Sequence, residues 1–354
     1  MWSIIYLISC STTELKGGTG YIQSVRTDSS GRASFEIEIE GPEELFLLTA
    51  QANGWVAMET ITNPQDEVIF NWEEWWDSEE SITSAIWPLG WDSTTNWPIR
   101  SSDEPLEAGI WTVTVGLFNE DGESMAWRNV TGTVQTKEDL DLTSGSIEIT
   151  VALTDTVQTD EAVRSAVDQA MARWQEIWQE MNVTATFTII ETDLNSALPY
   201  PDDEAIAELS EEGSETDVLM IIGETVNDST DYYGFAGSIP GPLVAASRAA
   251  VVVGWLPHAG IDGEFDDQDI RIFGETMAHE TGHYLGLFHP VEAEYDGWDA
   301  LEDTPYCESE AACHALLENN LMFPYPVCGF STCQPQGELT EEQGGVMHRY
   351  VGVR

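Results

Sequence analysis

Residues 274–290 read GETMAHETGHYLGLFHP and contain three histidines in the pattern HExxHxxGxxH. In an α-helix, His279 and His283 project from the same face about one turn apart, so both imidazoles can bind a single metal ion. Gly286 lacks a Cβ and can adopt a positive φ, which ends the helix and turns His289 back toward that ion. The pattern therefore predicts three nitrogen ligands and one open coordination position, as at a catalytic zinc.

Glu280 directly follows the first of these histidines and is the candidate catalytic residue. Zinc lowers the pKa of a water at the open position toward about 7, and Glu280 can then accept a proton from that water. The hydroxide would attack a peptide carbonyl, and Glu280 would pass the proton to the leaving amine. An ordinary buried helix is one alternative, but five specified positions match by chance on the order of once in 10,000 chains of this length. A structural zinc site is a second alternative, and such a site has no use for this carboxylate.

These residues form the metzincin signature, and positions further along the chain resemble the pappalysin family of zinc metalloproteases. The similarity extends from about Ser146 to Arg349 and is strongest after Gly274. It implies that Met322, in a segment similar to the family's Met-turn, lies beneath the three histidines as an apolar floor. It also implies a peptide or protein substrate. The stretches that carry the resemblance are Asp303–Pro305, Asn320–Met322, Leu339–Gln343 and Val346–Met347.

Two other segments concern the cleft that such an enzyme would need. Residues 234–240 are similar to the family's edge-strand region, where an extended substrate could add as a further strand, and a plain glycine-rich loop is the alternative. Many metzincins of this kind carry a tyrosine two residues after the Met-turn methionine. Here Phe323 and Pro324 intervene, and Tyr325 is the candidate transition-state hydrogen-bond donor.

The pattern of residues 138–354 alternates strands with helices, which is typical of an α+β domain with a mixed sheet. Thr159 is expected to cap a helix whose first turn is acidic and whose apolar residues recur at three- and four-residue intervals. Together with the resemblance, this predicts a metzincin-like protease domain with a mixed twisted sheet and an active-site helix. The expected strands are 147–153, 183–189, 218–222 and 249–255.

Residues 18–137 show alternating apolar positions and frequent turn signals, which predict an all-β domain with a sandwich or jelly-roll fold. Asn53-Gly54 is one such turn signal and should separate two strands. The predicted strands include 35–39, 45–50, 55–60, 67–70 and 111–117. This accessory domain would precede the catalytic domain, with residues 1–17 as a signal segment and short linker.

The accessory region also holds nine of the chain's 14 tryptophans, several of them between Asn71 and Pro98. That stretch is too polar and irregular to bury them all, so a loop that contacts carbohydrate or protein is an alternative to a core role. This leaves a rival function: a surface protein that binds glycan or protein through the tryptophan-rich sandwich, with a subordinate or degenerate protease domain.

The chain has 354 residues, of which 12 are Lys or Arg and 64 are Asp or Glu, giving a net charge of -52. A nucleic-acid backbone would be repelled, so we expect no nucleic-acid partner. Clusters of carboxylates could bind Ca²⁺, but they lack an EF-hand pattern, and solvated acidic loops are the alternative. The clusters are Asp262, Glu264, Asp266, Asp267 and Asp269, and Asp296, Asp299, Glu302 and Asp303.

The first ten residues are apolar and end in a cysteine, MWSIIYLISC, which resembles a bacterial lipoprotein signal. Cys10 is then a candidate for lipidation and membrane attachment. The stretch is short and no Lys or Arg precedes it, so a merely hydrophobic N-terminus is the alternative. On the first interpretation the protein is extracytoplasmic, either secreted or lipid-anchored at the cell surface.

Four further cysteines lie close together near the end of the chain and lack a CxxC pattern. They favour two disulfides over a thiolate metal site, in agreement with export. The spacings favour Cys307 with Cys313 and Cys328 with Cys333, although three connectivities remain open. The other histidines, His258, His314 and His348, lack ligand spacing, and surface or structural roles are expected for them.

Overall fold

The computed structural model describes residues 13–15, 18–41, 44–72, 90–138, 142–200, 204–212, 218–260, 263–329 and 332–354. The candidate lipidation site Cys10, residues 73–89 of the tryptophan-rich stretch and Asp262 lie outside these ranges. Among the described residues, no helix is long and apolar enough to cross a lipid bilayer.

The N-terminal region is all-β, as its alternating pattern predicts. Its strands form one eight-stranded antiparallel sheet with the order β1-β2-β8-β4-β7-β3, and β5 and β6 also pair with β4. The strands are β1 (Thr13–Leu15), β2 (Gly18–Arg26), β3 (Arg32–Ile39), β4 (Glu44–Thr62), β5 (Val68–Asn71), β6 (Gly90–Trp97), β7 (Gly109–Phe118) and β8 (Asn129–Glu138).

Strand β4 corrects one prediction, because Asn53-Gly54 does not separate two strands. The chain runs as a single strand of 19 residues whose first half pairs with β8 and β6 and whose second half pairs with β7 and β5. Gly54 has φ +148°, and a Cβ there would lie 2.7 Å from the Phe118 carbonyl oxygen. The glycine therefore allows close approach to β7 and an irregular register instead of a hairpin turn.

The C-terminal region is built on a five-stranded mixed sheet with the order β10-β9-β12-β15-β14, as expected for an α+β domain. All neighbours are parallel except β14, which lies at the edge and runs antiparallel to β15. The strands are β9 (Gly145–Leu153), β10 (Val183–Glu191), β11 (Ala197–Leu198), β12 (Val218–Gly223), β13 (Thr225–Val226), β14 (Gly234–Ala236) and β15 (Val251–Gly254). The helices are α1 (Asp155–Thr159), α2 (Glu161–Glu180), α3 (Glu204–Glu212), α4 (Asp267–Tyr284), α5 (Glu310–Leu317) and α6 (Glu341–Arg349), with a 3₁₀ turn at Leu256–His258.

Helix α2 has the expected apolar face but a different cap. Thr159 ends the short helix α1 and donates its hydroxyl to the Asp155 carbonyl, so the prediction that it caps the long helix is wrong. Asp160 is the N-cap, and its carboxylate accepts the backbone N–H groups of Ala162 and Val163. A carboxylate satisfies these free donors and also interacts favourably with the positive end of the helix dipole.

The first half of β4 is buried on both faces. Phe46 and Leu48 belong to the core of the N-terminal sheet, whereas Leu45 and Leu47 pack in the same apolar cluster as the C-terminal strands and helices. Ile99, after β6, joins that second cluster as well. The predicted division after residue 137 falls at the end of β8, yet the two regions share a core across it.

We call the side of the N-terminal sheet that faces the C-terminal region the docking face. Residues directly opposite each other in an antiparallel pair lie on the same side of a sheet, and the register of β4 with β6 and β8 therefore defines this face. Its members are Leu45, Leu47, Thr49 and Gln51 of β4, Asp92, Thr94 and Asn96 of β6, and Thr131, Thr133, Gln135 and Lys137 of β8.

Hydrogen bonds cross the docking face to the last residues of the chain. The Asn96 side chain donates to the Arg349 carbonyl at 3.0 Å and accepts the N–H of Val351 at 3.0 Å. The Lys137 ammonium donates to the carbonyls of His348 and Val353. Each of these polar groups loses water on docking and regains a partner, so the contact is specific.

This shared core predicts one cooperative unfolding transition for the whole chain. Leu47→Ala should open a cavity in the C-terminal core and lower the free energy of unfolding by about 2–5 kcal/mol. Ile22→Ala, at an exposed position of β2, is the control and should change it by less than about 0.5 kcal/mol. Calorimetry of the wild type and both variants measures this, and two separate transitions in the wild type would contradict the shared core.

Candidate metal centre

Helix α4 carries the first two predicted ligands, and its ends are fixed by local side chains. Asp266 caps its start in a capping box with Asp269. At the other end Gly286 has φ +108°, and the N–H of Leu287 donates to the Gly282 carbonyl at 3.0 Å. This is a Schellman turn, which requires a left-handed residue after the helix and directs the chain back toward it. His289 follows three residues later, as the sequence predicts.

The structure brings the three predicted ligands together. The Nε2 atoms of His283 and His289 are 3.1 Å apart, and those of His289 and His279 are 3.3 Å apart. Among the described residues this trio is the one group of histidine, cysteine or acidic side chains arranged to hold a metal ion. Nitrogens at about 2.0–2.1 Å from a tetrahedral zinc lie roughly 3.3 Å from one another, so the trio fits that ion.

Hydrogen bonds at the opposite ring nitrogens decide which proton each imidazole keeps. The Nδ1 atoms of His279 and His283 each lie 2.7 Å from a backbone carbonyl, those of Leu321 and Leu287 respectively. The Nδ1 of His289 lies 2.9 Å from a Glu292 carboxylate oxygen. Since these oxygens only accept, each Nδ1 carries the hydrogen and each Nε2 presents a lone pair. Three lone pairs then converge with no proton among them, an arrangement that a cation satisfies.

Burial keeps two of the rings neutral. Desolvation, followed by the charge of His289, lowers the pKa of His279 to about 3. Desolvation and then the two neighbouring histidines lower the pKa of His283 well below its ordinary value. Metal ligation needs the neutral imidazole, so the fold supplies these two ligands in the required state.

Glu280 lies beside the trio, buried under the edge strand β14. The backbone N–H of Ala236 donates to its carboxylate, but desolvation is the larger effect and raises the pKa of Glu280 to about 8. A Cβ on Gly234 would lie 2.8 Å from the Glu280 Cγ and 3.0 Å from the Val252 carbonyl oxygen. Glycine at 234 therefore makes room for the carboxylate that the sequence assigns to catalysis.

Met322 is fully buried and packs against helix α4. A Cβ on Gly282 would lie 2.8 Å from the Met322 Sδ, so the thioether packs directly on the helix between the first two histidines. The carbonyl of the preceding Leu321 is the acceptor that orients His279. The segment therefore contributes both a packing surface and a ring-orienting group.

Sequence reasoning missed the groups that orient the rings. Glu292 follows His289 by three residues, and this spacing is the signal that could have identified it, since a ligand histidine usually donates its other N–H to a carboxylate or carbonyl. The carbonyls of Leu287 and Leu321 leave no sequence signal, because every residue has one.

A cavity of about 590 Å³ opens over the histidines and Glu280. The edge strand β14 forms one wall, which agrees with the expectation for residues 234–240. Tyr325 lines the same cavity, and its hydroxyl is hydrogen-bonded to the hydroxyl of Tyr295 and, at 3.1 Å, to the Nε2 of His314. Burial is the first cause that raises its pKa, followed by Tyr295. Its role as a hydrogen-bond donor to substrate stays a prediction.

The two disulfides have the pairing that the spacing favours. Cys307 is bonded to Cys313 at 2.02 Å and Cys328 to Cys333 at 2.06 Å. Arg271 of α4 donates to the Cys333 carbonyl, which links the second disulfide loop to the helix that carries His279 and His283. Disulfides of this kind are compatible with an extracytoplasmic location.

Among the described residues, neither acidic cluster forms a group of side chains that could hold a metal ion, so binding of Ca²⁺ is not supported. Asp266 and Asp269 cap α4, and Asp303 accepts the N–H of Glu342 at the start of α6. Capping accounts for these carboxylates.

The remaining histidines also have structural partners. His258 is buried between the Gly254 carbonyl and the Thr276 hydroxyl, and His348 contacts the Met181 carbonyl.

No family model matches this chain, and no curated protein matches it. Solved structures do match. Archaemetzincin from Methanopyrus kandleri is similar over 41% of this chain and 76% of its own length, with 16% identity and a TM-score of 0.29. Metalloproteinase-II from Bacteroides fragilis is similar over 57% of this chain and 64% of its own, with 12% identity and a TM-score of 0.30. This chain therefore covers less than two thirds of the second protein. At these TM-scores the similarities carry no argument about activity, and the pappalysin resemblance stays a prediction.

Zinc binding can be tested without any activity assay. We expect the chelator-stripped protein to bind one equivalent of Zn²⁺ and Glu292→Ala to weaken binding by about 10–100-fold, because the orienting acceptor of His289 is lost. Competition with a chromophoric chelator measures the affinity. Glu294→Ala, an exposed carboxylate two residues on, is the control and should bind like the wild type. Equal affinity of both variants would contradict the orienting role.

Asp299 gives the protein a pH-dependent contribution to stability. Burial raises its pKa to about 7, against hydrogen bonds from Leu301 and Thr304 that lower it. A carboxyl in the unfolded chain titrates near pH 4, so between about pH 4 and 7 the folded state holds more protons than the unfolded state. The contribution is therefore fully present below about pH 4 and is lost as pH rises to about 7.

Asp299→Asn should remove that loss, so its stability relative to the wild type should improve steadily from pH 4 to 7. Urea unfolding across this pH range measures the difference. The exposed Asp296→Asn on the same loop is the matched control and should show a constant difference. A constant difference for Asp299→Asn as well would show that the carboxyl is not held protonated.

Proposed function

We propose that this protein is a zinc-dependent endopeptidase of the metzincin type, similar to pappalysins, with an accessory β-sandwich or jelly roll before the protease domain. The observation that supports this most is the convergence of three imidazole lone pairs beside a buried carboxylate. A structural zinc site is closed by four ligands, whereas this trio leaves one position facing a cavity. Glu280 lines the same cavity, where a carboxylate could take a proton from a water bound to the metal.

Each residue has a distinct part in peptide hydrolysis. A zinc ion held by His279, His283 and His289 would polarise the scissile carbonyl and make water more acidic. The Glu280 carboxylate takes a proton from the attacking water and later delivers it to the leaving amine nitrogen. Burial favours the protonated form of Glu280 in the metal-free site, and the positive charge of a bound Zn²⁺ would favour the carboxylate that the first step needs. The Ala236 N–H holds the carboxylate in place throughout.

The substrate we propose is an extended peptide segment. Strand β14 lies at the edge of the mixed sheet and lines the cavity, so a peptide can add to it through backbone hydrogen bonds. A peptide bound along β14 in this way would have its scissile bond next to Glu280, which lies directly beneath the strand. For location, we propose export, with secretion or anchoring through a lipidated Cys10.

The mechanism predicts a strong dependence on Glu280 and on metal. Wild-type protein should cleave a mixed peptide library, chelator should abolish cleavage, and added Zn²⁺ should restore it. Glu280→Gln keeps the size and hydrogen-bonding oxygen but cannot take a proton, so it should lower kcat by at least about 10²–10⁴-fold. Mass spectrometry of the products measures this. Zinc affinity should be retained, and equal cleavage by wild type and variant would reject the mechanism.

A further inference from the structure

The docking face contacts a loop that begins where the edge strand β14 ends. We call residues 237–250 the cleft loop. The Gln51 side chain donates to the Ala245 carbonyl at 3.0 Å, and the Ser247 hydroxyl donates to Asp92 Oδ2 at 3.2 Å. The backbone N–H of Arg248 also donates to Asp92. Burial raises the pKa of Asp92, and the Arg248 guanidinium and these hydrogen bonds act against that rise. The N-terminal sheet thus holds the loop through a carboxylate that is only 2% exposed.

Within the cleft loop, Arg248 packs tightly on Gly237, the residue that follows β14. A Cβ on Gly237 would lie 2.2 Å from the Arg248 carbonyl oxygen, a separation that no side chain tolerates. The Gly237 N–H donates to the Ala250 carbonyl at 2.9 Å. Ala236, the neighbour of Gly237, donates its N–H to Glu280. A displacement of Arg248 therefore reaches the catalytic carboxylate through two backbone contacts.

Residues near the start of the cleft loop contact the last turn of α4. The Tyr284 hydroxyl donates to the Pro242 carbonyl at 2.6 Å, and the Gly241 N–H donates to the Tyr284 carbonyl at 2.8 Å. Tyr284 directly follows His283. One loop therefore contacts both the strand above Glu280 and the helix that carries the second ligand.

We propose that Asp92 is a positioning residue for the reaction: it fixes Ser247 and Arg248 of the cleft loop, and through them the edge strand that orients Glu280. The N-terminal sheet is then part of the catalytic unit and not an independent binding module. This inference rests on the proposed function for its kinetic consequences. Its structural content concerns only the link from Asp92 to β14.

Asp92→Ala removes the acceptor, and Thr95→Val is the matched control. Thr95 is fully buried on the same strand, but it lies opposite Leu48 and so faces the core of the N-terminal sheet. We expect Asp92→Ala to lower kcat by about tenfold to a hundredfold, because small displacements of a reacting group cost that much. Zinc affinity should stay within about twofold, since the histidines keep their own acceptors. KM should rise with the displacement of β14, because that strand is the proposed peptide site. Thr95→Val should keep the wild-type kcat.

Hydrogen exchange supplies a readout independent of activity. Amides of residues 234–250 should exchange faster in Asp92→Ala than in Thr95→Val, because the loop opens locally more often. Asp92→Asn keeps an oxygen acceptor for Ser247 and Arg248 and should restore part of both the protection and kcat. If Asp92→Ala does not fold, Ser247→Ala, which removes a single donor, replaces it.

The outcomes separate this inference from the proposed function. If Asp92→Ala and Thr95→Val lose thermal stability equally, with the same exchange at 234–250 and the same kcat, Asp92 only stabilises the fold and the inference is wrong. If the wild type cleaves no peptide, the proposed function fails, and the exchange comparison alone then upholds or rejects the link between Asp92 and β14.

Discussion

The hydrogen bond at Nδ1 of each ligand histidine is the interaction on which the site depends. Each fixes a ring with its Nε2 lone pair directed at a common point, and each acceptor comes from a different segment: Leu287 from the turn after α4, Glu292 from the loop beyond His289, and Leu321 from the segment before Met322. Three separately placed acceptors must therefore be correct at once. The path of the chain after α4 follows from that requirement.

Local spacing accounts for what the sequence could predict. The ligand set, the helix end at Gly286 and the mixed sheet all follow from periodicity and from a glycine with positive φ. The orienting acceptors could not be predicted in the same way, because Glu292 is one acidic residue among 64. The continuous strand β4 was missed because Asn53-Gly54 is a turn signal that the pairing of both halves with other strands overrides.

The docking face could not be predicted from the sequence for a related reason. The stretch Asn71–Pro98 is polar and irregular in sequence and predicts no strand, yet Asp92 and Thr94 lie on β6 and are buried, as is Thr49 of β4. Gln51, Asp92 and Asn96 on this face bond loop and backbone groups of the second region of the same chain, whereas the buried hydroxyls of Thr49 and Thr94 have no hydrogen-bond partner among the described residues. An apolar face there would leave those backbone groups unsatisfied, at a cost of about 1–3 kcal/mol each. Hydrogen-bonded polar residues on a buried face are therefore evidence of a specific partner.

Cationic side chains lie where the N-terminal sheet contacts the C-terminal region. With 12 cationic residues against 64 acidic ones, mutual repulsion works against compactness, so the position of each cation matters. Lys137 holds the chain's last residues against the N-terminal sheet, and Arg248 lies beside Asp92 at the same contact. Arg173 and Arg271 both pair with the buried Glu275, joining α2 to α4. Buried charges need such partners. These cations therefore lie where elements contact each other, and helix α4 is held at two such contacts.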